Sequence, residues 1–261
     1  MLESLLAVKL LLIVCWLLIF VLWERGRPAS PWKSSEPSGG FSQQRHYGQN
    51  LSLWLVTALV SPLLMIGLTA PATLASPQWR PVFLLGAPGL IFDIVLLDMW
   101  IYWWHRANHR IPLLWRFHQV HHFDQQLDAS SAFRFHFGEV ILSALVRAPF
   151  IFILAIPLSS VVVFETLVMM AAIFHHSNAR LSPRLEKSLS STLITPGIHW
   201  VHHHAVRADT DSNYGTLFSW WDSLFQSRSS GQREPDMLLG VEGQQENSII
   251  RLLLMPFLPQ K

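Results

Sequence analysis

Apolar residues along this chain gather into long unbroken runs, with neither the period-2 alternation of half-buried strands nor a narrow amphipathic stripe. Residues 5–23 are interrupted only by Lys9, and residues 51–70 and 82–104 form two more runs. Each is near the 20 or so residues that carry a helix across hydrocarbon. The first run lacks a basic leader, since Glu3 and Lys9 flank it, and no small-x-small site precedes Glu24. It therefore reads as a retained span rather than a signal peptide. Residues 26–50, rich in Pro, Ser, Gly and Gln, read as a mobile linker. Residues 140–174 are apolar again, but one helix of that length would measure about 52 Å, against roughly 30 Å of hydrocarbon. Pro157 marks the natural break into a hairpin of two short spans, fully crossing or re-entrant.

The expected architecture is all-α: an integral membrane protein of four to five transmembrane or re-entrant helices with a histidine-rich helical cap. Composition agrees. Of 261 residues, 51% are hydrophobic and 14% charged, against about a quarter charged in soluble domains. One cysteine, Cys15, excludes a disulfide framework or cysteine-built cluster, and a net charge of +2 gives no footing for nucleic acid. Arg25, Arg27, Lys33 and Arg45 follow the first run, and Arg106, Arg110, Arg116 and Arg134 follow the third, whereas the loop between runs two and three carries only Arg80. The positive-inside rule then puts the linker and the cap in the cytoplasm. Two charges fall at membrane depth: Arg147 and Glu165, ten and eight residues from Pro157. Such groups pair or line a cavity, so an ion pair bracing the hairpin is expected. Reversing both charges should then be better tolerated than reversing one.

Histidine changes the picture most. Twelve of the 13 lie between His105 and His204, and His46 stands apart. They form boxes: His105 and His109; His118, His121 and His122; His175 and His176; His199, His202, His203 and His204. Spacings of three and four put imidazoles on one helix face, and the predicted topology puts every box on one side of the membrane. A zinc enzyme needs three protein ligands and an open position, so eight or nine ligands suit two ions. Imidazole alone does not choose among iron, zinc, copper and nickel. A divalent-metal carrier, a zinc-binding structural protein and a zinc hydrolase therefore stay as alternatives to an oxygenase. A carrier, however, would place polar ligands along its spans.

The run Asp98-x-x-x-Tyr102-x-x-His105-Arg106-x-x-His109, then His118-x-x-His121-His122, Phe174-x-His176-Ser-Asn178, His199-x-x-His202-His203 and the 210–216 and 221–225 segments resemble the fatty acid hydroxylase/sterol desaturase superfamily. The resemblance covers roughly residues 90–226. It implies a membrane oxidoreductase with two iron ions, O2 as co-substrate, a lipid substrate to hydroxylate or desaturate, and electrons from a separate reductase, ferredoxin or cytochrome. It also implies the organisation: residues 1–50 as N-terminal span and linker, 51–226 as the di-iron domain, and 227–261 as a polar tail ending in an interfacial segment. The implied metal ligands are His105, His109, His118, His121, His122, His176, His199, His202 and His203. His175 and His204 are neighbours in an unfixed register, and His136, in Arg134-Phe-His136-Phe-Gly-Glu139, is a supporting residue. Ligating imidazoles usually donate their other N–H to a carboxylate or carbonyl. Asp98, Asn178 and Asp211, with Asp124, Asp128 and Asp222, are the candidates for that task. Asp98 lies two turns from His105, so it would have to orient a histidine of another box.

Overall fold

A computed structural model describes residues 2–32, 42–77, 79–244 and 248–258. Eight helices matter here: α1 (Leu2–Gly26), α2 (Gln43–Leu74), α3 (Gly86–Arg110), α4 (Pro112–His122), α5 (Phe137–Ile153), α6 (Leu158–His176), α7 (Pro196–His202) and α8 (Ile249–Leu254). No named strand occurs among the described residues; only isolated bridges do, such as Pro28 with Ala179. Among the described residues four helices are long and apolar enough to cross a membrane: α2, α3, α6 and, from Ser4, α1. The chain is an integral membrane protein.

The 140–174 run divides at its proline. Pro157 stands at the N-terminus of α6 in extended conformation, and the turn before it includes Ala155 at φ 49°. A second adjustment lies inside α2, where Pro71 has no N–H for the Gly67 carbonyl. A wider π-turn over Met65–Thr69 absorbs the mismatch, with Ala70 donating to the Met65 carbonyl. The supposed linker is shorter than its composition suggests. α2 already begins at Gln43, capped by Ser42, and Ala29 and Ser30 donate to the Asn178 side chain. The rest of that segment, residues 33–41 with Lys33, lies outside the described residues.

Lipid tails are as apolar as leucine, so burial of apolar faces does little to hold spanning helices together. α1 meets α6 through close packing of Phe20 on Ala172 and Ile173. Polar ties add to it: Trp16 Nε1 donates to the Met170 carbonyl (2.8 Å), and Lys9 Nζ reaches Glu165 (3.1 Å). Glu24, buried at the end of α1, accepts from the Ala129 and Asn178 amides (both 3.0 Å). Leu97, Ile151, Ile156, Val161, Phe164 and Leu217 form one core beside the hairpin turn, and Leu53, Val120, Phe123, Leu252 and Met255 another between α2, α4 and the C-terminal segment. The C-terminal segment thus turns Leu252 and Met255 onto α2 and α4, while Ile250, Leu254 and Phe257 stay exposed.

Arg147 and Glu165 pair at 2.8 Å across the hairpin, as expected for charges at that depth. Lys9 makes the pair a triad, a helix that sequence separation gave no reason to connect. The charge-reversal expectation must change with it, because the reversed pair would set a new arginine against Lys9. Glu165→Gln should instead be the most damaging single change. It leaves two cations facing each other and should cost about 3 kcal/mol, more than Lys9→Met, in thermal unfolding in detergent micelles. A smaller loss from Glu165→Gln than from Lys9→Met would refute the triad.

Candidate metal centre

The ends of α3, α4, α6 and α7 bring nine imidazoles into two adjoining groups. His105, His109, His118, His122 and His202 form one, and His121, His176, His199 and His203 the other, with the potential ligand atoms of each group within 4.8 Å of one another. The helical spacings explain the partition. His118 and His122 share one face of α4 and serve the first group, while His121 turns to the second; on α7, His199 and the following His203 share a face and His202 turns away. The groups share a wall, with His122 stacked on His203 at 4.4 Å and His199 stacked on His202 at 5.3 Å.

Backbone carbonyls and one carboxylate anchor the far nitrogens. Nδ1 of His105 donates to the Tyr214 carbonyl (2.9 Å), His202 to Ser212 (2.6 Å), His121 to Arg134 (3.0 Å) and His176 to Ala172 (2.8 Å). His118 Nδ1 donates to Glu139 (2.9 Å). These acceptors take only N–H, so a neutral ring anchored in this way turns an unprotonated Nε2 inward. Yet His121 and His176 bring their Nε2 atoms to 3.0 Å, two lone pairs with no proton between them. Nε2 of His176 also lies 3.0 Å from that of His199, with His199 and His203 at 3.1 Å and His118 and His122 at 3.2 Å. Nε2 of His105 and of His202 are buried without a hydrogen-bond partner among the described residues. Burial, reinforced by neighbouring imidazoles, holds His121, His122, His199 and His203 well below the usual histidine range, and burial takes His202 down to about 3. Converging lone pairs on neutral, buried rings suit a cation at the centre of each group.

The carboxylates divide differently from expectation. Asp98 does not orient a histidine: its oxygens accept from the Leu217 amide (3.0 Å), the Phe218 amide (3.2 Å) and Trp221 Nε1 (2.8 Å). It fixes the loop that carries Tyr214. Asp222 does the same from within, accepting from the Tyr214 and Gly215 amides. Asn178 is spent on Ala29, Ser30 and Arg233. Asp211 does approach the site, 3.4 Å from His109 Nδ1, while paired with Arg207 at 2.8 Å. Asp124 and Asp128 flank His46, at 3.2 and 3.0 Å, in a fully buried cluster. His136 accepts from the Gly138 amide at Nδ1 and donates from Nε2 to the Leu253 carbonyl, so it caps α5. His204 pairs with Asp209. His175 lies outside both groups, its ring 3.9 Å from that of His199.

The family profile of fatty acid hydroxylases matches residues 90–227, more than half of the chain. The chain belongs to the fatty acid hydroxylase family. Among curated relatives it is 27% identical over 183 residues to the ornithine lipid hydroxylase OlsE of Rhizobium tropici, covering 69% of this chain and 52% of that protein. Alkylglycerol monooxygenase of Homo sapiens is 30% identical over 131 residues, 49% of this chain and 28% of that one. Very-long-chain aldehyde decarbonylase GL1-6 of Oryza sativa subsp. indica is 25% identical over 206 residues, 69% and 30% respectively. The chain therefore spans about half the length of the first of these and under a third of the others. No solved structure matches.

Burying neutral imidazoles makes stability depend on pH. Where the folded value is depressed, the unfolded chain takes up protons first, so stability is present above about pH 6.5 and falls as pH drops toward the folded value. For His202 that window runs from about 6.5 to about 3. Chelator-stripped protein should thus be less stable at pH 5 than at pH 7, by about 2 kcal/mol from His202 alone, and melt at a correspondingly lower temperature. An unchanged melting temperature would contradict the buried neutral cluster.

Proposed function

We propose that this chain is a membrane-bound di-iron oxygenase that oxidises a C–H bond of a lipid. The observation that carries the reading is the pair of adjoining nitrogen cages, five imidazoles and four, with their lone pairs facing inward. One feature favours iron over zinc: the first group offers five ligands, one more than a tetrahedral ion accepts. The named relatives, a lipid hydroxylase, an alkylglycerol monooxygenase and an aldehyde decarbonylase, support work on a lipid.

In this reading His105, His109, His118, His122 and His202 hold one ion and His121, His176, His199 and His203 the other. When bound, the iron pair supplies O2 activation and C–H oxidation, with electrons delivered by a separate donor protein. The protein's own part is to hold and exclude. Carbonyls of Tyr214, Ser212, Arg134 and Ala172 fix ring orientation, and Asp98 and Asp222 fix the Tyr214 loop. Trp200 donates to the His176 carbonyl, and the Arg233 guanidinium lies 3.6 Å over its ring, closing the four-histidine group on that side. His105, the least buried of the nine, marks the side from which a lipid chain would approach. We assign the site to the cytoplasmic face from the arginines that follow α1 and α3.

Purified protein should carry two irons per chain and consume O2 only with added reductant and lipid extract. His121→Ala or His202→Ala should lose iron and abolish uptake while membrane insertion persists. One zinc per chain with no reductant-dependent uptake would overturn the reading.

A further inference from the structure

We infer that Glu139, a buried carboxylate that is in neither histidine group, is the positioning residue for the five-histidine site, setting both the orientation and the electron-donating strength of His118. The inference rests on the metal-centre reading and deepens it.

Local structure delivers Glu139 to this point. α5 starts at Phe137 with His136 as its cap, and the first turn approaches α4 so closely that a Cβ on Gly138 would lie 2.5 Å from the Phe117 ring. Only glycine allows that approach. The next residue, Glu139, is thereby set against His118, the neighbour of Phe117. One oxygen, Oε1, accepts from both His118 Nδ1 (2.9 Å) and Asn108 Nδ2 (3.1 Å), so a single atom ties α3, α4 and α5. A carboxylate in the first turn of a helix is also favoured by the helix dipole.

The other oxygen supplies the second observation. Oε2 is buried with no hydrogen-bond partner among the described residues, and Glu139 is 6% exposed. The imidazole that faces Glu139 is that of His118, at 2.9 Å. A buried carboxylate normally pairs with positive charge or serves a metal. A cation held by His118 and its group supplies that charge through the ring. The effect is local, because the two anchored rings of the four-histidine group, His121 and His176, face the neutral carbonyls of Arg134 and Ala172. A carboxylate behind an imidazole makes it a more basic ligand than a carbonyl does, and removal of such a partner typically weakens metal binding 10- to 100-fold. The two ions are thus inequivalent, with the more strongly donating cage around the first.

The test compares Glu139→Gln with Asn108→Ala in full-length protein in micelles. The first keeps the shape and an acceptor oxygen but removes the charge; the second removes only the tie to α3. Metal-loaded protein is mixed with excess EDTA and the release rate measured, metal-free protein is melted, and iron-57 samples are examined by Mössbauer spectroscopy. Expected for Glu139→Gln are release about tenfold faster or more, an unchanged melting temperature of the metal-free form, and a shift in one of two iron signals. Asn108→Ala should lower the melting temperature and leave the release rate alone. Glu139→Asp, which keeps the charge but shortens the reach, should release at an intermediate rate. Release from Glu139→Gln at the parent rate, or acceleration in both variants in step with lost stability, would overturn the inference. If the parent binds zinc, the oxygenase reading fails, yet the release ratio measured with zinc still decides the role of Glu139.

Discussion

Nine imidazoles stand in this protein in two adjoining groups, and the rest of the architecture serves to hold them there. Left to themselves, lone pairs 3.0 Å apart repel, and burying neutral histidines makes the fold lose stability as pH falls. Five of the nine rings are fixed against these tendencies from behind. Four Nδ1 atoms are tied to backbone carbonyls and one to a carboxylate, each of which also selects the tautomer that faces inward. The arrangement therefore depends on the placement of backbone segments as much as on the histidines themselves.

That dependence explains where the other polar residues went. Asp98 and Asp222 hold the 214–222 loop from two sides, and through the Tyr214 carbonyl they reach His105 indirectly. Arg134, buried and bonded to the Val120 carbonyl and Asn50, fixes the turn whose carbonyl receives His121. His46, clasped by Asp124 and Asp128, joins α2 to the same turn. Within the spans the logic differs, since hydrocarbon offers helices little reason to associate. There the joints are a tryptophan N–H on a carbonyl and the triad of Lys9, Glu165 and Arg147, with Glu24 at the boundary.

Much of this was legible in the chain. Run lengths located the spans, Pro157 located the hairpin turn, and box spacings named nine histidines that the fold gathers into two groups. The depth match of Arg147 and Glu165 anticipated their pairing because both lie on one continuous hairpin. Polar partners were less legible. An aspartate carboxylate or an asparagine carbonyl is equally suited to a ring N–H and to a backbone amide, so Asp98 and Asn178 carried no mark of which they would meet. The linker was overextended because Pro, Ser and Gly reflect the lack of regular structure, and that did not preclude Ala29 and Ser30 from being pinned by Asn178.

What the sequence by itself determined is periodic and local: which segments suit lipid, where proline breaks a helix, and which imidazoles share a face. Those properties follow from hydrophobicity and from 3.6 residues per turn, and both are written in neighbouring residues. Only the tertiary structure decided how nine histidines divide five to four, and which atoms stand behind them. Carbonyl anchors are invisible in sequence because every residue has one. The reach of Glu139 to His118 depended on a glycine permitting two helices to touch, and that of Lys9 to Glu165 on how separate spans pack. Contacts between distant segments depend on packing, and packing is not periodic.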